Sequence, residues 1–473
     1  MRNLYSLLVI VLISLHAVAQ NPNPNTDLDD FILEEMELEN APGMSTLIVK
    51  GGEIVWVESY GWADVQNAIP VTDSTIFMLA SVSKVFTGTA LMILHENDQI
   101  DLDLDINRYL SFTIDVPNFV ADSITARMLM THTASIADND PVMDTYYSNG
   151  DPTISLADLI ERYFTPGGSD YNPNANFLNN APGTVHNYSN MGTALAGYVV
   201  EAASGILFSE FCNQHIFNAL CMDNTSWYFA DFDSANVARP YQWTGSQYQP
   251  YAHYGFADYP DGQLRSNVID LANFLITFLQ EGSFQNATLL SSSSVNQMLS
   301  PQVPAIEPGQ GLNWYNEELF LSGGGTVIVW GHNGGEKGVS TDIYIDPATE
   351  IGIAVLTNGE GDNLYVVDEL YNYALTLSPT GVGNPPCELM SVPVAENETT
   401  VRIYPNPSNG IIQLQTDRDA RGNLTVYNAL GQAIQTLTIQ SQQTIVELSE
   451  PGMYYFHFAL EDEATIISKV VVM

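Results

Sequence analysis

The sequence predicts an α/β (α+β) domain followed by a small β-sandwich. At 473 residues the chain is longer than one typical domain. Helical and strand-like apolar patterns are mixed as far as residue 377, and short alternating strands follow from residue 399. We therefore expect a mixed domain at 27–377 and a sandwich at 399–473. The stretch 378–398, rich in Pro, Gly and polar residues, is the expected linker.

The first residues have the pattern of a secretory signal peptide. A short positive start at Met1-Arg2 precedes an apolar stretch that ends near Leu15, and Ala17-Val-Ala19 fits a small-residue cleavage site. This apolar stretch is too short to span a bilayer, and no other apolar run reaches that length. The sequence therefore predicts a signal peptide at 1–19, a secreted product and no transmembrane segment.

Apolar periodicity predicts the elements of the mixed domain. Gly51-Gly52 separates two β-rich runs and indicates a hairpin. Helices are expected at 27–40, 81–96, about 124–132, 156–164, 193–203, 268–280 and 366–377, and strands at 44–50, 54–59, 327–331, 340–346 and 351–357. The strand from residue 327 is expected to enter a glycine turn at His332–Gly335.

Seven short alternating strands are expected in the tail, with Asn409-Gly410 as a hairpin turn. They are 401–404, 411–416, 424–427, 433–439, 444–448, 453–459 and 466–472. The tail offers no nucleophile and base in a suggestive spacing, so no chemistry is assigned to it.

The formal net charge of −42 argues against nucleic-acid binding, which needs basic patches, and disfavours docking on anionic lipid. Cys212 and Cys221 could pair in an oxidising compartment, but any helix between them would have to break. With Cys387 they form no Cys-x-x-Cys motif, and the histidines have no ligand spacing. We expect no metal and no cofactor.

The chemistry is expected at Ser81-x-x-Lys84. On a helix, positions i and i+3 lie about 5–6 Å apart at Cβ, so the Lys84 amine would reach the Ser81 hydroxyl. A serine needs an adjacent base to act as a nucleophile, and a desolvated lysine can supply it. The alternative is an ordinary helix N-cap serine beside a solvated lysine, and this motif alone does not separate the two.

Two further motifs follow in order: Tyr188-Ser-Asn190 and His332-Asn-Gly334. With Ser81-x-x-Lys84, they make the stretch from Asp27 to Leu377 resemble the serine β-lactamase-like hydrolases. This family includes class C β-lactamases, D,D-carboxypeptidases, D-aminopeptidases and related esterases of the peptidase S12 type. The resemblance implies a β-lactamase/transpeptidase-like fold, with a mostly antiparallel sheet flanked by helices and a helical subdomain.

The resemblance also implies a role for each motif residue. Ser81 would attack a carbonyl, Lys84 would accept or relay its proton, and Tyr188 would act as a general base or pass a proton to the leaving group. Asn190 would hold Lys84 or the substrate amide. Backbone N–H groups of Ser81 and Gly335, just after His332-Asn-Gly334, would form an oxyanion hole.

Two stretches depart from the family pattern. Many β-lactamases have Lys-Thr-Gly where this chain has His332-Asn-Gly334, and an imidazole anchors a substrate carboxylate less firmly than an ammonium group. The motif is therefore closer to the peptidase and esterase branches, and efficient β-lactam hydrolysis is not expected. His132 lies in Thr131-His-Thr-Ala-Ser135, where relatives often have Ser-Gly after the second Thr, and we assign His132 a structural role.

The tail resembles the C-terminal sorting domain of the type IX secretion system of Bacteroidetes. The resemblance is carried by Ile403-Tyr-Pro-Asn-Pro-Ser-Asn-Gly410, Val426-Tyr-Asn-Ala-Leu-Gly431, the stretch 448–455 and the ending Lys469-Val-Val-Val-Met473. It implies that the protein engages this machinery and travels through the periplasm of a Gram-negative bacterium to the cell surface or the medium. The alternative is a carbohydrate-binding or spacer sandwich.

The leading hypothesis is therefore a secreted serine hydrolase that acts through an acyl-enzyme on a small-molecule or peptide substrate. The alternative is a sensor of the penicillin-binding type that acylates slowly or not at all. The loops at 138–181 and 227–259 are the expected determinants of substrate specificity.

Overall fold

A computed structural model describes residues 21–379 and 381, together with the seven strands of the tail and residues 421 and 448. The predicted signal peptide and nearly all of the predicted linker lie outside the described residues. The chain divides into two compact units, residues 1–389 and 390–473. We describe each unit separately.

A seven-stranded antiparallel sheet forms the centre of the first unit. Its order is β12-β13-β14-β15-β1-β2-β3. The strands are β1 (Gly43–Lys50), β2 (Glu53–Asp64), β3 (Ile69–Pro70), β12 (Tyr315–Phe320), β13 (Thr326–Glu336), β14 (Val339–Asp346) and β15 (Ile351–Thr357).

Four pairs of short strands complete the β-structure that is described in this unit. They are β4 (Phe77–Met78) with β9 (Arg265–Ser266), β5 (Tyr147–Asn149) with β8 (Tyr254–Phe256), β6 (Tyr241–Trp243) with β7 (Tyr248–Pro250), and β10 (Ser283–Phe284) with β11 (Ala287–Thr288).

The described residues of the first unit also form ten α-helices, of which seven correspond to predicted helices and three, at 140–143, 208–212 and 292–298, were not predicted. They are α1 (Thr26–Leu38), α2 (Ser83–Glu96), α3 (Ala126–Met130), α4 (Asp140–Met143), α5 (Leu156–Phe164), α6 (Asn190–Ser204), α7 (Phe208–Cys212), α8 (Val268–Leu279), α9 (Ser292–Met298) and α10 (Leu364–Thr376).

Both faces of the central sheet are covered. Along β1, Leu47 and Val49 enter one hydrophobic core with α2 and α8, whereas Met44 and Ile48 enter a second core with α1 and α10. Every residue of β1 from Gly43 to Val49 is buried, and the two buried polar side chains, Ser45 and Thr46, both make hydrogen bonds. These two helical layers around an antiparallel sheet confirm the predicted fold.

Helix α2 is the central helix of the helical layer. Every residue from Ser83 to Leu94 is buried, and the helix packs against α6 and α7. A helix that is apolar on all sides belongs in the interior of a domain. The turn immediately before α2, Ala80–Val82, therefore has a rigid support.

The predicted glycine turn at His332–Gly335 is wrong. Strand β13 continues through these residues, and Gly334 and Gly335 pair with Thr341 and Ser340 of β14. The turn comes later, at Gly338, where φ is +73°. These two glycines do not change the direction of the chain. Gly334 instead allows β13 to pack closely on the chain at Leu79 and Ser81.

The tail unit contains two antiparallel sheets. One has the order β16-β17-β20 and the other β19-β18-β21-β22. Leu414 and Val446 of the first sheet share a hydrophobic core with Leu424 and Phe456 of the second, which confirms the predicted sandwich. The strands are β16 (Val401–Tyr404), β17 (Ile411–Thr416), β18 (Gly422–Asn428), β19 (Ala433–Ile439), β20 (Gln443–Glu447), β21 (Gly452–Leu460) and β22 (Ile466–Val472).

Cys212 is a free and fully buried thiol at the end of α7, so the bond between Cys212 and Cys221 that the sequence left open is not formed. Within the described ranges, no single helix is long and apolar enough to cross a membrane. Helix α6 and residues 208–217 form a pair bent by 79°. Combined, the two are long and apolar enough to cross a membrane, but only by length and composition.

Candidate active site

Ser81 lies in a 3₁₀ turn, Ala80–Val82, that leads directly into α2. The sequence placed Ser81 inside the helix, but α2 begins at Ser83. The difference arises at Ala80, whose φ of +47° is in the left-handed region, unusual for a residue with a side chain. Such strain requires support from neighbouring structure and is common at functional sites.

The support for this turn comes from two elements that are distant in sequence. The Leu79 N–H donates to Leu264 O at 2.7 Å, and Thr341 Oγ1 of β14 donates to Leu79 O at 2.6 Å. Both hydrogen bonds are to backbone groups, so they fix the path of the chain immediately before Ser81. The turn is thereby attached to the sheet as well as to the helical layer.

The Lys84 ammonium lies beneath Ser81 and is fully buried. It donates to Ser81 Oγ at 3.2 Å, to Asn190 Oδ1 at 2.8 Å and to the backbone oxygen of Asp261 at 2.7 Å. An ammonium group has three N–H donors, and here each one has an acceptor. The two residues of the first motif therefore meet as the sequence predicted.

The charge state of Lys84 follows from these surroundings. Burial lowers the pKa of its ammonium group, but the neighbouring Tyr188 and Asp261 raise it by more, so the pKa of Lys84 is raised overall. Lys84 is therefore protonated in the resting protein. This differs from the expectation that a desolvated Lys84 would be the neutral base.

Tyr188 and Asn190 reach the same place from the start of α6. Asn190 is the first residue of the helix and Ser189 is its N-cap, whose side chain accepts from the Gly192 N–H. The Lys84 Nζ lies 4.9 Å from the centre of the Tyr188 ring, in a cation–π contact. The second motif is thus brought against the first, and Tyr188 remains 42% exposed to solvent.

Asp138 fixes the start of α6, a role that the sequence did not reveal. Its carboxylate accepts from the N–H groups of Asn190 at 2.8 Å and Met191 at 3.1 Å, and from Ser189 Oγ at 2.8 Å. A negative charge at a helix N-terminus is favoured by the helix dipole and satisfies unpaired N–H groups. Asp138 therefore holds the segment that carries Tyr188 and Asn190.

The third motif lies on β13 beside the Ser81 turn. A Cβ atom on Gly334 would come within 2.4 Å of Leu79 O and 3.0 Å of Ser81 N, so only glycine fits there. A Cβ atom on Gly335 would meet no other atom within 4 Å. Gly334 therefore permits the strand to pack on the turn, while Gly335 faces open space.

His332 is buried and neutral. Its Nδ1–H donates to the backbone oxygen of Asn333, which leaves Nε2 as a hydrogen-bond acceptor. Burial, followed by the nearby Lys84 ammonium, lowers the pKa of His332 to about 3. The first position of the third motif therefore carries no charge at neutral pH.

A cavity of about 470 Å³ opens beside Tyr188 and His332. The residues that line it are His132, His186, Tyr188, Glu307, Pro308, Gly309, Gln310, Tyr315, Asn316, His332 and Asn333. The sequence analysis located specificity at 138–181 and 227–259, and it did not single out 307–310.

His132 contacts the site as well as the backbone. Its Nδ1 accepts from the Ser189 N–H at 3.3 Å, and its ring lies 4.5 Å from that of Tyr188, measured between centres. Burial lowers the pKa of His132 well below its ordinary value, so this imidazole is also neutral. The assigned structural role stays a prediction, although the ring supports Tyr188 directly.

No group of three or more His, Cys, Asp or Glu side chains among the described residues is arranged to hold a metal ion.

The comparisons with known proteins agree with this geometry. Residues 28–378, well over half of the chain, match the family model described as Beta-lactamase. The chain belongs to the beta-lactamase family. Residues 402–473 match the model of a secretion system C-terminal sorting domain. This beta-lactamase-family protein therefore carries a sorting tail, which indicates secretion and cell-surface attachment in Bacteroidetes-type bacteria.

Similar curated proteins are bacterial. The chain is 23% identical to protein flp of Staphylococcus aureus (strain MW2) over 334 residues. The matched stretch covers 70% of this chain and 62% of that protein. It is 28% identical over 187 residues to penicillin-binding protein 4* of Bacillus subtilis (strain 168), or 39% of this chain and 38% of that protein. The chain thus spans less than two thirds of the length of these two relatives.

Similar solved structures share the fold. The octameric penicillin-binding protein homologue from Pyrococcus abyssi has a TM-score of 0.58 at 20% identity, over 95% of this chain and 96% of its own. The D-amino acid amidase from Ochrobactrum anthropi SV3 has a TM-score of 0.58 at 21% identity, over 74% of this chain and 100% of its own. At these identities the likeness concerns the fold alone.

Proposed function

We propose that this protein is a secreted serine hydrolase that cleaves amide, peptide or ester carbonyls through an acyl-enzyme on Ser81. The observation that carries the proposal is the position of Lys84 Nζ. It lies 3.2 Å from Ser81 Oγ, 2.8 Å from Asn190 Oδ1 and 4.9 Å from the centre of the Tyr188 ring. A hydroxyl group, an ammonium group and a phenol in one cluster are the components of an activated nucleophile.

Because the pKa of Lys84 is raised, Lys84 and Tyr188 have different roles beside Ser81. Lys84 stays an ammonium group and favours negative charge on Tyr188, which takes the Ser81 proton as Oγ forms its bond to the carbonyl carbon. Tyr188 then delivers that proton to the leaving group as the scissile bond breaks. A water molecule attacks the acyl-enzyme in the same way and returns the proton to Ser81.

The negative charge on the carbonyl oxygen needs fixed donors. We assign this role to the backbone N–H groups of Ser81 and Gly335. Two observations support the assignment. Gly334 packs against Ser81 N, and the Cβ position of Gly335 faces open space. Asn190 holds Lys84, and His332 borders the space that the substrate would enter.

The candidate substrates are those of the D-Ala-D-Ala carboxypeptidase, D-aminopeptidase or esterase type, with weak β-lactamase activity at most. The fold is shared with a D-amino acid amidase, which supports an amide substrate. A neutral His332 offers no positive charge to the carboxylate of a β-lactam. We also propose that the tail engages the type IX secretion machinery, so deletion of 399–473 would leave the enzyme in the periplasm.

Covalent labelling tests the nucleophile. We expect a fluorophosphonate probe to label the protein and Ser81→Ala to abolish the labelling. A panel of p-nitrophenyl esters, D-amino-acid amides and nitrocefin would then identify the reaction. Labelling without turnover of any compound would favour the alternative, a slowly acylating sensor. Equal labelling of the wild type and Ser81→Ala would exclude both.

A further inference from the structure

The charged residues that line the cavity beside Tyr188 and His332 bear on which substrates it accepts. None of its lining residues is a Lys or Arg, and its single carboxylate belongs to Glu307. Among the residues that the structure describes, no salt bridge involves Glu307. The cavity therefore offers an unneutralised negative charge to whatever enters it.

Three of the other polar side chains of the cavity offer an anion either no positive charge or no free donor. His332 and His132 are both neutral, and His332 Nε2 is left as an acceptor. His186 Nε2 contacts Gln310 Oε1 at 3.3 Å, and the amide NH₂ of Gln310 is already bonded to the oxygens of Gly311 and Trp314. That NH₂ is therefore not available to a ligand.

The nearby cation does not reverse this pattern. Lys84 directs its three hydrogen bonds to Ser81, Asn190 and Asp261, and it is not among the residues that line the cavity. The rings of Tyr188 and Tyr315 border the cavity, and the faces of such rings attract cations. The net charge of −42 also favours the approach of positive groups.

The position of Tyr188 indicates which part of the substrate would enter the cavity. If Tyr188 delivers a proton to the leaving group, as proposed above, the leaving group must lie on the Tyr188 side of Ser81. The cavity is on that side, with Tyr188 and His332 in its wall. This step rests on the proposed function.

We propose that this cavity is a leaving-group site selective for positive charge, in which Glu307 contacts a protonated or quaternary amine of an ester or amide substrate. Neutral leaving groups are accepted less well, and leaving groups with a carboxylate are disfavoured. Terminal D-alanine and opened β-lactams carry such a carboxylate. The site therefore favours the esterase and amidase reactions of the proposed function over the carboxypeptidase reaction.

The test uses three thioesters of the same acyl group whose leaving thiols are cationic, neutral and anionic. Their acyl group is one that the wild type hydrolyses, and the thiols are thiocholine, its uncharged isostere 3,3-dimethylbutanethiol, and 3-mercaptopropionate. The released thiol is measured with an aromatic disulfide reagent. We expect kcat/KM to fall in the order cationic, neutral, anionic, because the Glu307 carboxylate attracts the first thiol and repels the third.

Substitutions test whether Glu307 causes the preference for a cationic leaving thiol. Glu307→Gln should lower the cationic-to-neutral ratio of kcat/KM about fivefold, the effect of one partly exposed charge pair, and Glu307→Lys should favour the anionic thiol. Glu34→Gln removes the same charge from the exposed side of α1 and should leave the ratio unchanged. An unchanged ratio in Glu307→Gln, or anionic turnover equal to cationic, would overturn the inference.

A second measurement separates failure of this inference from failure of the proposed function. Phosphonothiolates with the same three leaving thiols report only the rate at which Ser81 is labelled. Labelling that depends on Ser81 but is independent of thiol charge would reject the leaving-group site and keep the nucleophile. No labelling by these compounds or by a fluorophosphonate would reject the proposed function itself.

Discussion

Lys84 Nζ donates a 2.8 Å hydrogen bond to Asn190 Oδ1, joining α2 to the first residue of α6 across 106 positions of sequence. With the bonds to Ser81 Oγ and the Asp261 backbone oxygen, it leaves the ammonium group no free donor. Lys84 is therefore both the electrostatic centre of the site and a link between three chain segments.

The first prediction concerns Lys84→Met. We expect kcat to fall about 10²- to 10⁴-fold, the range for loss of acid–base catalysis, because proton transfer by Tyr188 depends on the neighbouring ammonium charge. The free energy of unfolding should fall by about 1–3 kcal/mol, because buried acceptors lose their donor. The control is Lys50→Met, since Lys50 Nζ also donates to two backbone oxygens at 2.7 Å, those of Ala374 and Leu377, far from the site. Equal losses of kcat in the two variants, measured beside thermal melts, would contradict the assignment.

The second prediction compares two adjacent glycines of β13. Gly334→Ala should abolish most activity and cost about 1–3 kcal/mol of stability, because the new Cβ would press on Leu79 O, Thr341 Oγ1 and Ser81 N. Gly335→Ala is the matched control, with no atom within 4 Å of its Cβ. Kinetics and denaturant unfolding of both variants measure the difference. If Gly334→Ala were as active as Gly335→Ala, the close packing described for this strand would be wrong.

The third prediction concerns Asp138→Asn. The amide has one acceptor oxygen and no charge, so α6 loses part of its N-terminal support, and we expect a loss of about 1–2 kcal/mol. Activity should fall as well, by up to about 100-fold, because Tyr188 and Asn190 are then held less accurately. Asp122→Asn, an exposed change, serves as the control. Unaltered kcat in a destabilised Asp138→Asn variant would restrict Asp138 to a purely structural role.

The fourth prediction concerns pH. The pKa of His332 is lowered to about 3 in the folded protein, below its ordinary value near 6.5, so the unfolded chain binds the extra proton first. The stability that a neutral His332 contributes is therefore complete above pH 6.5 and is lost as the pH falls toward 3. His332→Gln removes this dependence. Thermal melts between pH 8 and 4 should show the wild type losing stability relative to the variant on acidification, and a constant difference would argue against a buried, neutral His332.

Much of the site was predictable because its signals are local in sequence. The spacing of Ser81 and Lys84 predicts their contact through helix geometry alone. Period-3.6 and period-2 apolar patterns likewise predicted most helices and strands within a few residues. The order of the three motifs then predicted that distant segments meet, since a resemblance to a family supplies the tertiary contacts that periodicity cannot.

The rest depends on contacts that carry no local pattern. Asp138 acts on a helix that begins 52 residues later, and an aspartate in a polar loop has no feature that indicates such a partner. The supports at Leu79 O and Asp261 O are backbone atoms, which every residue type possesses. The glycine turn was predicted wrongly because both glycines lie within a strand, where Gly334 permits close packing, and the sequence alone does not distinguish this use of glycine from a turn.

The hydrogen bond from Thr341 Oγ1 to Leu79 O has a consequence for how this protein can change during evolution. It couples the Ser81 turn to the β13–β14 hairpin, so a substitution that shifts either one costs a buried hydrogen bond. The segment 307–310 takes no part in that bond and joins β12 instead, where the Asn316 N–H donates to the Gly309 oxygen. New substrate preferences can therefore arise by changes in 307–310 while the Ser81 turn keeps its position.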